Sequence, residues 1–584
     1  MTHHEAWIRV AALEELKTQG MRVIQGLDRP VVVCVHEGIV SALDNRCPHL
    51  GFPLSKGTLK DGILTCHWHQ ARFDLCSGST FDLWADDAPA YDTRVVDGVV
   101  FVASHPRRNP DAAYHLRRLH KGMEQNIGLL QAKSLIGLLK GGAPVLQIVR
   151  EILNYAVQSL NAPTGITELA IAGTLHPVLG TETTYLLLLR AAQQIAQASK
   201  DSKRQQREAL GGSTYSFETL KHWFYEWVRG RDREGAERVL LTAIEIGLPR
   251  AQLAEMLFGA VSERVYCDQG HVFDFINKQF ELLDFAGWEH AAQLLPLCLP
   301  QLVSARGAEE DGTWHHPIEI IEPLRDAERN LPETLRNGAG KTWSEDSRLA
   351  ETLSGDDPLK IITVLQDALL NGAAPCELAK RVCYAGALRL ARFAKANDVG
   401  DWFNPQHTYT YANAVYHAVK RTQSPDVVRA IFHAALSVYM DRFLNVPPAK
   451  LPFAVGETRG LDELPSDPKA LKESLLQVLN EQARLDEAAK KIARYLRLGH
   501  PLEPLFDTLT YATIREDLDF HTLQVLEAGY QQYREWRGGV QGEHILVGVV
   551  RDLAAVCPTP RARLKTATTA LRLHHGDRLY EEEA

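Results

Sequence analysis

The chain lacks long apolar runs, a dense cysteine array and an excess of basic residues, and each absence excludes a class of protein. Apolar runs such as Tyr185–Leu189 fall far short of the roughly 20 residues needed to span a bilayer. No apolar stretch follows Met1-Thr-His-His-Glu-Ala6, so neither a membrane partner nor a secretory leader is expected. Nine cysteines are scattered from Cys34 to Cys557 along 584 residues. That is no disulfide scaffold, and it suits a reducing, cytoplasmic setting. The net charge of −9 lacks the basic footprint of a nucleic-acid or anionic-lipid binder. Neither G-x-G-x-x-G after a strand nor G-x-x-x-x-G-K-[ST] occurs, so NAD, FAD or ATP binding through those loops is not expected. No Ser-His-Asp or Cys-His hydrolase pattern stands out.

What is present is concentrated in two short segments. Cys47-Pro-His49 and Cys66-His-Trp-His69 flank the stretch Leu50–Thr65. Each segment offers one thiolate and one imidazole, a mixed set suited to iron–sulfur ligation. A zinc finger with two Cys and two His would group its cysteines in one place and its histidines in another. With Gly51 after the first pair, and Phe73-Asp74 and Gly78 after the second, the segment from Met1 to Ser104 resembles the Rieske family. The resemblance implies a [2Fe–2S] cluster, with Cys47 and Cys66 on one iron and His49 and His69 on the other. Members of that family in cytochrome bc complexes carry an extra cysteine in each loop. Here Gly51, Phe52 and Pro53 follow the first pair, and the next cysteine after His69 is Cys76. The loop disulfide is therefore not expected, and the segment is similar to the ferredoxin and oxygenase type. Cys34 and Cys76 read as small buried apolar residues.

The pattern of residues divides the chain. Short β-branched runs, Val31–Val35 and Val99–Val102, alternate with the turn pairs Glu37-Gly38, Asp61-Gly62 and Asp97-Gly98. From Ala112 onward, apolar residues recur at three- and four-residue spacing, as in Ala236–Ile246 and Leu378–Lys395. The expected architecture is multidomain: a small all-β Rieske sandwich at 1–105, a linker at 106–111, and a large all-α domain of helical hairpins at 112–584. Within the helical part, His271, His407 and His521 recur in similar settings. Asn277 and Asn413 stand six residues after the first two, and Glu527 six after the third. His290, His433 and His544 follow in second helices, and His176-Pro and His316-Pro open two further segments.

A one-electron carrier is useful beside a metal that reacts with dioxygen, and imidazole suits iron. Helical bundles build such sites from inward-facing side chains. His271, His407 and His521 are the leading candidates for a non-haem iron, with His176 and His316 as further ligands. Lys380 shares a helix face with Cys376, Cys383, Tyr384 and Ala387; it is a candidate base, or a metal ligand if carbamylated. The segments Gly270-His271, Asn404-Pro-Gln-His407 with Tyr409 and Tyr411, and Asp519-Phe-His521 resemble questin-oxidase-like helical proteins. That resemblance implies oxygen-dependent oxidation of a hydrophobic, aromatic small molecule. The functional expectation is a Rieske-type mono- or dioxygenase fed by an external reductase or ferredoxin, with a homo-oligomer as one route for electron transfer between chains. The alternative expectation is an electron carrier or redox sensor whose helical part docks a partner.

Overall fold

The computed structural model describes residues 6–25, 27, 29–107, 110–159, 163–199, 206–212, 214–346, 348–451, 460–536, 539–575 and 577. Arg108 and Asn109 of the expected linker lie outside them. The chain forms two compact units. Met1–Ile148 together with Arg563–Ala584 make the first, and Val149–Ala562 the second.

The first unit is built on two antiparallel sheets. Strands β1 (Trp7–Ala12), β2 (Met21–Ile24), β3 (Val31–His36), β4 (Ile39–Asp44), β8 (Ala90–Val96) and β9 (Val99–Pro106) form a sheet in the order β1-β9-β8-β4-β3-β2. Strands β5 (Thr58–Lys60), β6 (Ile63–Thr65) and β7 (Arg72–Asp74) form the other. The three turn pairs read from the sequence connect β3 to β4, β5 to β6 and β8 to β9, closing the pairs His36↔Ile39, Lys60↔Ile63 and Val96↔Val99. Both residues of each turn have positive φ, 48° and 80° for Glu37 and Gly38, as tight hairpin turns require. Strand β3 is buried on both faces. Val31 and Val33 enter one apolar core with Leu16, Tyr91 and Val102, while Val32 and Cys34 enter another with Leu54, Leu64 and Phe73. Period-two alternation thus serves two cores from one strand.

The segment 106–111 marks where β structure gives way to helix, but the compact unit continues to Ile148. Asp111 caps helix Ala112–Glu124 by accepting from the Tyr114 amide at 2.7 Å. Arg118 on that helix pairs with Asp86 at 3.0 Å, and Lys133 on helix Gly128–Lys140 pairs with the same carboxylate at 3.4 Å. These charge pairs tie the first two helices to the β structure, which is why the unit extends beyond the change in pattern.

The second unit is helical. Helix His271–Ala286 packs on Thr164–Leu175 and on Phe403–Arg421, which in turn packs on Phe520–Glu535. Helices His271–Ala286, Phe403–Arg421 and Phe520–Glu535 each begin near a candidate histidine and carry polar residues at matching offsets. Three residues after His271, His407 and His521 stand Asp274, Thr410 and Gln524, and Gln524 donates to Asp274. Another turn along, Lys278 donates to Glu281 at 2.8 Å and to Glu527 at 2.5 Å, and Asn277 donates to Glu281 at 2.9 Å. All of these side chains are buried. Burial works against the Lys278 ammonium, but the two carboxylates outweigh it and hold the group charged. Removing the cation strands two buried acids. Lys278→Met is therefore expected to lower unfolding free energy by about 3–5 kcal/mol in denaturant titration. Glu527→Gln keeps a hydrogen-bonding group and should cost less.

Candidate metal centres

The two segments singled out at the start become two loops of the same design. Cys47 N–H donates to Phe52 O at 2.8 Å, and Gly51 N–H returns to Cys47 O at 2.7 Å. In the second loop, Cys66 N–H donates to Ala71 O at 2.8 Å and Gln70 N–H returns to Cys66 O at 3.0 Å. The fourth residue after each cysteine is left-handed: Gly51 at φ 82° and Gln70 at φ 65°. Each cysteine is buried, while His69 and its neighbour Trp68 reach the surface. The His49 and His69 rings meet edge-on with centroids 4.7 Å apart, and Trp84 covers His49 from 4.8 Å. His67, the other imidazole of the second loop, is held by the Thr58 hydroxyl.

The chemistry of this donor set fits a Rieske cluster. The thiols of Cys47 and Cys66 interact by a hydrogen bond that pushes Cys66 down to about 6 and Cys47 up. A lowered thiol readily supplies the thiolate that ligates metal. Burial, and after it the charge of Lys133, pushes His49 down to about 4, so the ring is neutral as a ligand must be. His49 Nδ1 is buried with no hydrogen-bond partner, a nitrogen left over for coordination. Cys34 is buried, and burial pushes its thiol up to about 12. Cys76 differs from expectation: it is exposed, because it sits in the turn that Gly78 closes back onto Asp74 O at 2.8 Å.

In the helical unit, three of the candidate histidines come together. Ligand atoms of His271, His407 and His521 all lie within 4.8 Å of one another. His271 Nδ1 is 2.9 Å from Asp268 O, and a carbonyl can only accept, so the proton is on Nδ1 and Nε2 is bare. Asp519 Oδ1 lies 3.0 Å from His521 Nδ1 but makes no hydrogen bond to it; that nitrogen is buried without a partner, so the contact leaves the tautomer of this ring open. Burial works to raise Asp519, but the His521 contact outweighs it and holds the carboxyl below its usual range. The bare Nε2 of His271 lies 3.1 Å from His521 Nε2, which donates to it when the His521 proton is on Nε2. A cation bound by both nitrogens would take the place of that proton. Two nitrogens bound at about 2.1 Å to one ion stand roughly 3.0–3.4 Å apart when they subtend 90–109°. His407 Nε2 is buried without a partner, and burial, together with its two histidine neighbours, pushes the ring down to about 3. An imidazole whose far nitrogen is held by a carbonyl, as in His271, is a usual form of metal ligand.

The backbone ahead of His271 is strained to make this possible. Tyr266, Asp268 and Gln269 have φ of 43°, 49° and 54°, the left-handed region that non-glycine residues avoid. Gly270 follows at φ 89°, and a Cβ there would meet the Tyr411 side chain at 2.7 Å. Sequence reasoning singled out Gly270-His271 but gave no sign of the strained turn, nor of Asp519 as the partner of His521.

The remaining candidates are placed elsewhere. His176 Nδ1 contacts Gly173 O at 2.9 Å, outside the three-histidine group. His316 shares a cavity with His407 but is not part of the group. Lys380 donates to Glu535 O at 3.2 Å and lies 4.4 Å over the Trp536 ring, so its ammonium is engaged away from the three histidines. His433 is paired with Glu328 at 2.6 Å, and His544 with the Tyr384 hydroxyl at 2.8 Å. The cavity holding His316 and His407 has a volume of about 610 Å³, and Tyr266, Trp314, Met440 and Phe443 also line it.

Comparison with known proteins agrees with the loop geometry. Residues 6–92 match the family described as Rieske [2Fe-2S] domain. The ferredoxin component of the naphthalene 1,2-dioxygenase system of Pseudomonas aeruginosa is 32% identical over 74 residues, covering 13% of this chain and 71% of that one. Through this N-terminal segment the chain belongs to the Rieske [2Fe–2S] domain family. Apoptosis-inducing factor 3 of Mus musculus is 34% identical over 73 residues, and the chain spans only 12% of that protein's length. The ferredoxin of carbazole 1,9a-dioxygenase from Nocardioides aromaticivorans IC177 is 27% identical over 18% of this chain and 99% of its own, with a TM-score of 0.16. Among the described residues, no helix is long and apolar enough to cross a membrane. Cys66→Ser is expected to abolish the visible absorbance and acid-labile sulfide of the cluster, measured against wild type purified in parallel, while far-ultraviolet circular dichroism stays helical.

Proposed function

We propose that this protein is an oxidoreductase in which the Rieske cluster delivers electrons to a non-haem iron held by His271, His407 and His521, where dioxygen oxidises a hydrophobic, aromatic small molecule. The observation that carries this reading is the convergence of three rings: ligand atoms of His271, His407 and His521 lie within 4.8 Å of one another, with His271 Nε2 bare of a proton and His407 Nε2 unpartnered. Three protein nitrogens leave coordination positions open, as catalytic rather than structural sites do. When bound, the iron would supply the ability to reduce and activate dioxygen.

The chain's own residues account for the rest. The Asp268 carbonyl fixes the tautomer of His271, and the Asp519 carboxylate lies 3.0 Å from His521 Nδ1. The cavity at His407 offers the aromatic walls of Tyr266, Trp314 and Phe443, which suit a flat apolar substrate, and Asp268, Arg306, Asp311 and Asp441 add charged groups for its polar substituents. At the other end, the exposed His69 and Trp68 give an external reductase or ferredoxin a short path to the cluster, with the buried cysteines behind it. Relatives of the Rieske segment support an oxygenase setting. They include the naphthalene dioxygenase ferredoxin, and the vanillate O-demethylase oxygenase subunit of a Pseudomonas strain, 42% identical over 52 residues and 16% of that protein. The questin-oxidase-like resemblance of the helical part points to ring oxidation as the reaction class. A cytoplasmic location suits the scattered cysteines, and electron transfer runs within one chain or between the chains of a homo-oligomer.

The test is metal content. Protein loaded anaerobically with ferrous iron should bind about three irons per chain, two in the cluster and one at the histidines. His407→Ala should lose one iron and keep the cluster's electron paramagnetic resonance signal. Wild-type protein that never exceeds two irons would overturn the oxygenase reading and leave an electron carrier or redox sensor with a docking scaffold. Oxygen consumption by the reduced wild type, absent in His407→Ala, would join the metal to the chemistry.

A further inference from the structure

Lys133, on helix Gly128–Lys140, is a half-buried cation that reaches a cluster loop. Its ammonium donates to the carbonyls of Pro48 and His49, the latter at 3.0 Å, so it grips the backbone on both sides of the peptide that carries the ligand His49. Its side chain is only 15% exposed. Asp86 approaches it at 3.4 Å, yet the same carboxylate is shared with Arg118 at 3.0 Å. Two cations and one anion leave a net positive charge beside the cluster loop. Arg118 is itself held by the carbonyls of Leu83 and Ala85, next to Trp84, which covers His49. The arrangement is fixed rather than a loose surface charge.

One-electron reduction adds a negative charge to a [2Fe–2S] cluster, and the surrounding charges and hydrogen bonds set how favourable that is. A cation in a poorly hydrated position stabilises the reduced form far more than the same charge in water. The Rieske family match ends at residue 92, before both Arg118 and Lys133, so this charge is contributed by the appended helices and not by the Rieske fold.

We propose that Lys133, with Arg118 and Asp86, is a positioning group that raises the reduction potential of the cluster and orients the His49 loop. This rests on the cluster alone and is independent of iron at the three histidines. The experiment is a redox titration of the full-length protein, followed by electron paramagnetic resonance of the reduced cluster. Lys133→Met is expected to lower the equilibrium constant for reduction about tenfold, a shift of about 59 mV for one electron. Lys133→Arg should stay near wild type. Asp86→Asn, which frees the cation, should shift the potential the opposite way, upward. A purely structural role would change stability without opposite shifts in potential. An unchanged potential in Lys133→Met, or a shift of Asp86→Asn in the same direction, would overturn the proposal. If Lys133→Met does not retain its cluster, Asp86→Asn alone decides: a rise supports the proposal and no rise overturns it.

Discussion

The first unit depends on one repeated pair of backbone hydrogen bonds. In each cluster loop the cysteine amide is spent on the carbonyl five residues ahead, and the cysteine carbonyl on the amide four residues ahead. That closure needs a left-handed residue, supplied by Gly51 and by Gln70. With the main chain satisfied internally, the side chains are free to converge: thiols inward to the apolar core of Leu54, Leu64 and Phe73, imidazoles outward. The order of burial gives the cluster a dry end and a wet end, and electrons enter or leave by the wet one. The appended helices then act on the loop through its carbonyls, the groups that the closing bonds leave unused.

The helical unit solves a different problem. A group of three histidines has to be assembled from separate helices, and each contributes a face that is polar for several turns. Below the histidines lie Asp274 and Gln524, then Lys278, Glu281 and Glu527. Burying so many polar groups is tolerable only because nearly every one is answered by a neighbour on the next helix. A mixed-charge interior of this kind opposes sliding of one helix against another, since a shift by one turn would unpair several groups together. Rigidity of that sort is what the histidine geometry requires: three ligand atoms within 4.8 Å of one another cannot be held by a pliable bundle.

The Rieske segment was legible because its ligands are local. Cys47 and His49, like Cys66 and His69, are fixed relative to each other by two or three residues of chain, so spacing encodes geometry. The turn pairs Glu37-Gly38, Asp61-Gly62 and Asp97-Gly98 were legible for the same reason. His271 and His521 are 250 residues apart, and no spacing rule connects them. What the sequence showed was the shared offset to Asn277, Asn413 and Glu527, which the structure explains as equivalent faces of three neighbouring helices. Lys133 was invisible because it works through backbone carbonyls, and a lysine on an amphipathic helix looks like any other. Lys380 was singled out on its apolar neighbours, but the tertiary partner that occupies its charge, Trp536, lies far along the chain. The expected boundary at 106–111 follows the change of secondary structure, which is local, whereas the extent of a compact unit depends on what the next helices pack against.

The first unit is discontinuous: it runs to Ile148 and resumes at Arg563. Ala570, Leu573 and His574 of the returning helix line the same cavity as Gly137 and Lys140. On a ribosome adding about 5–20 residues per second, roughly 20–80 s separate the two parts. During that interval the Rieske loops are already synthesised, but the face awaiting the last helix is uncovered. The whole second unit must be synthesised before the first can be finished, so the length of the inserted body governs when the first one matures.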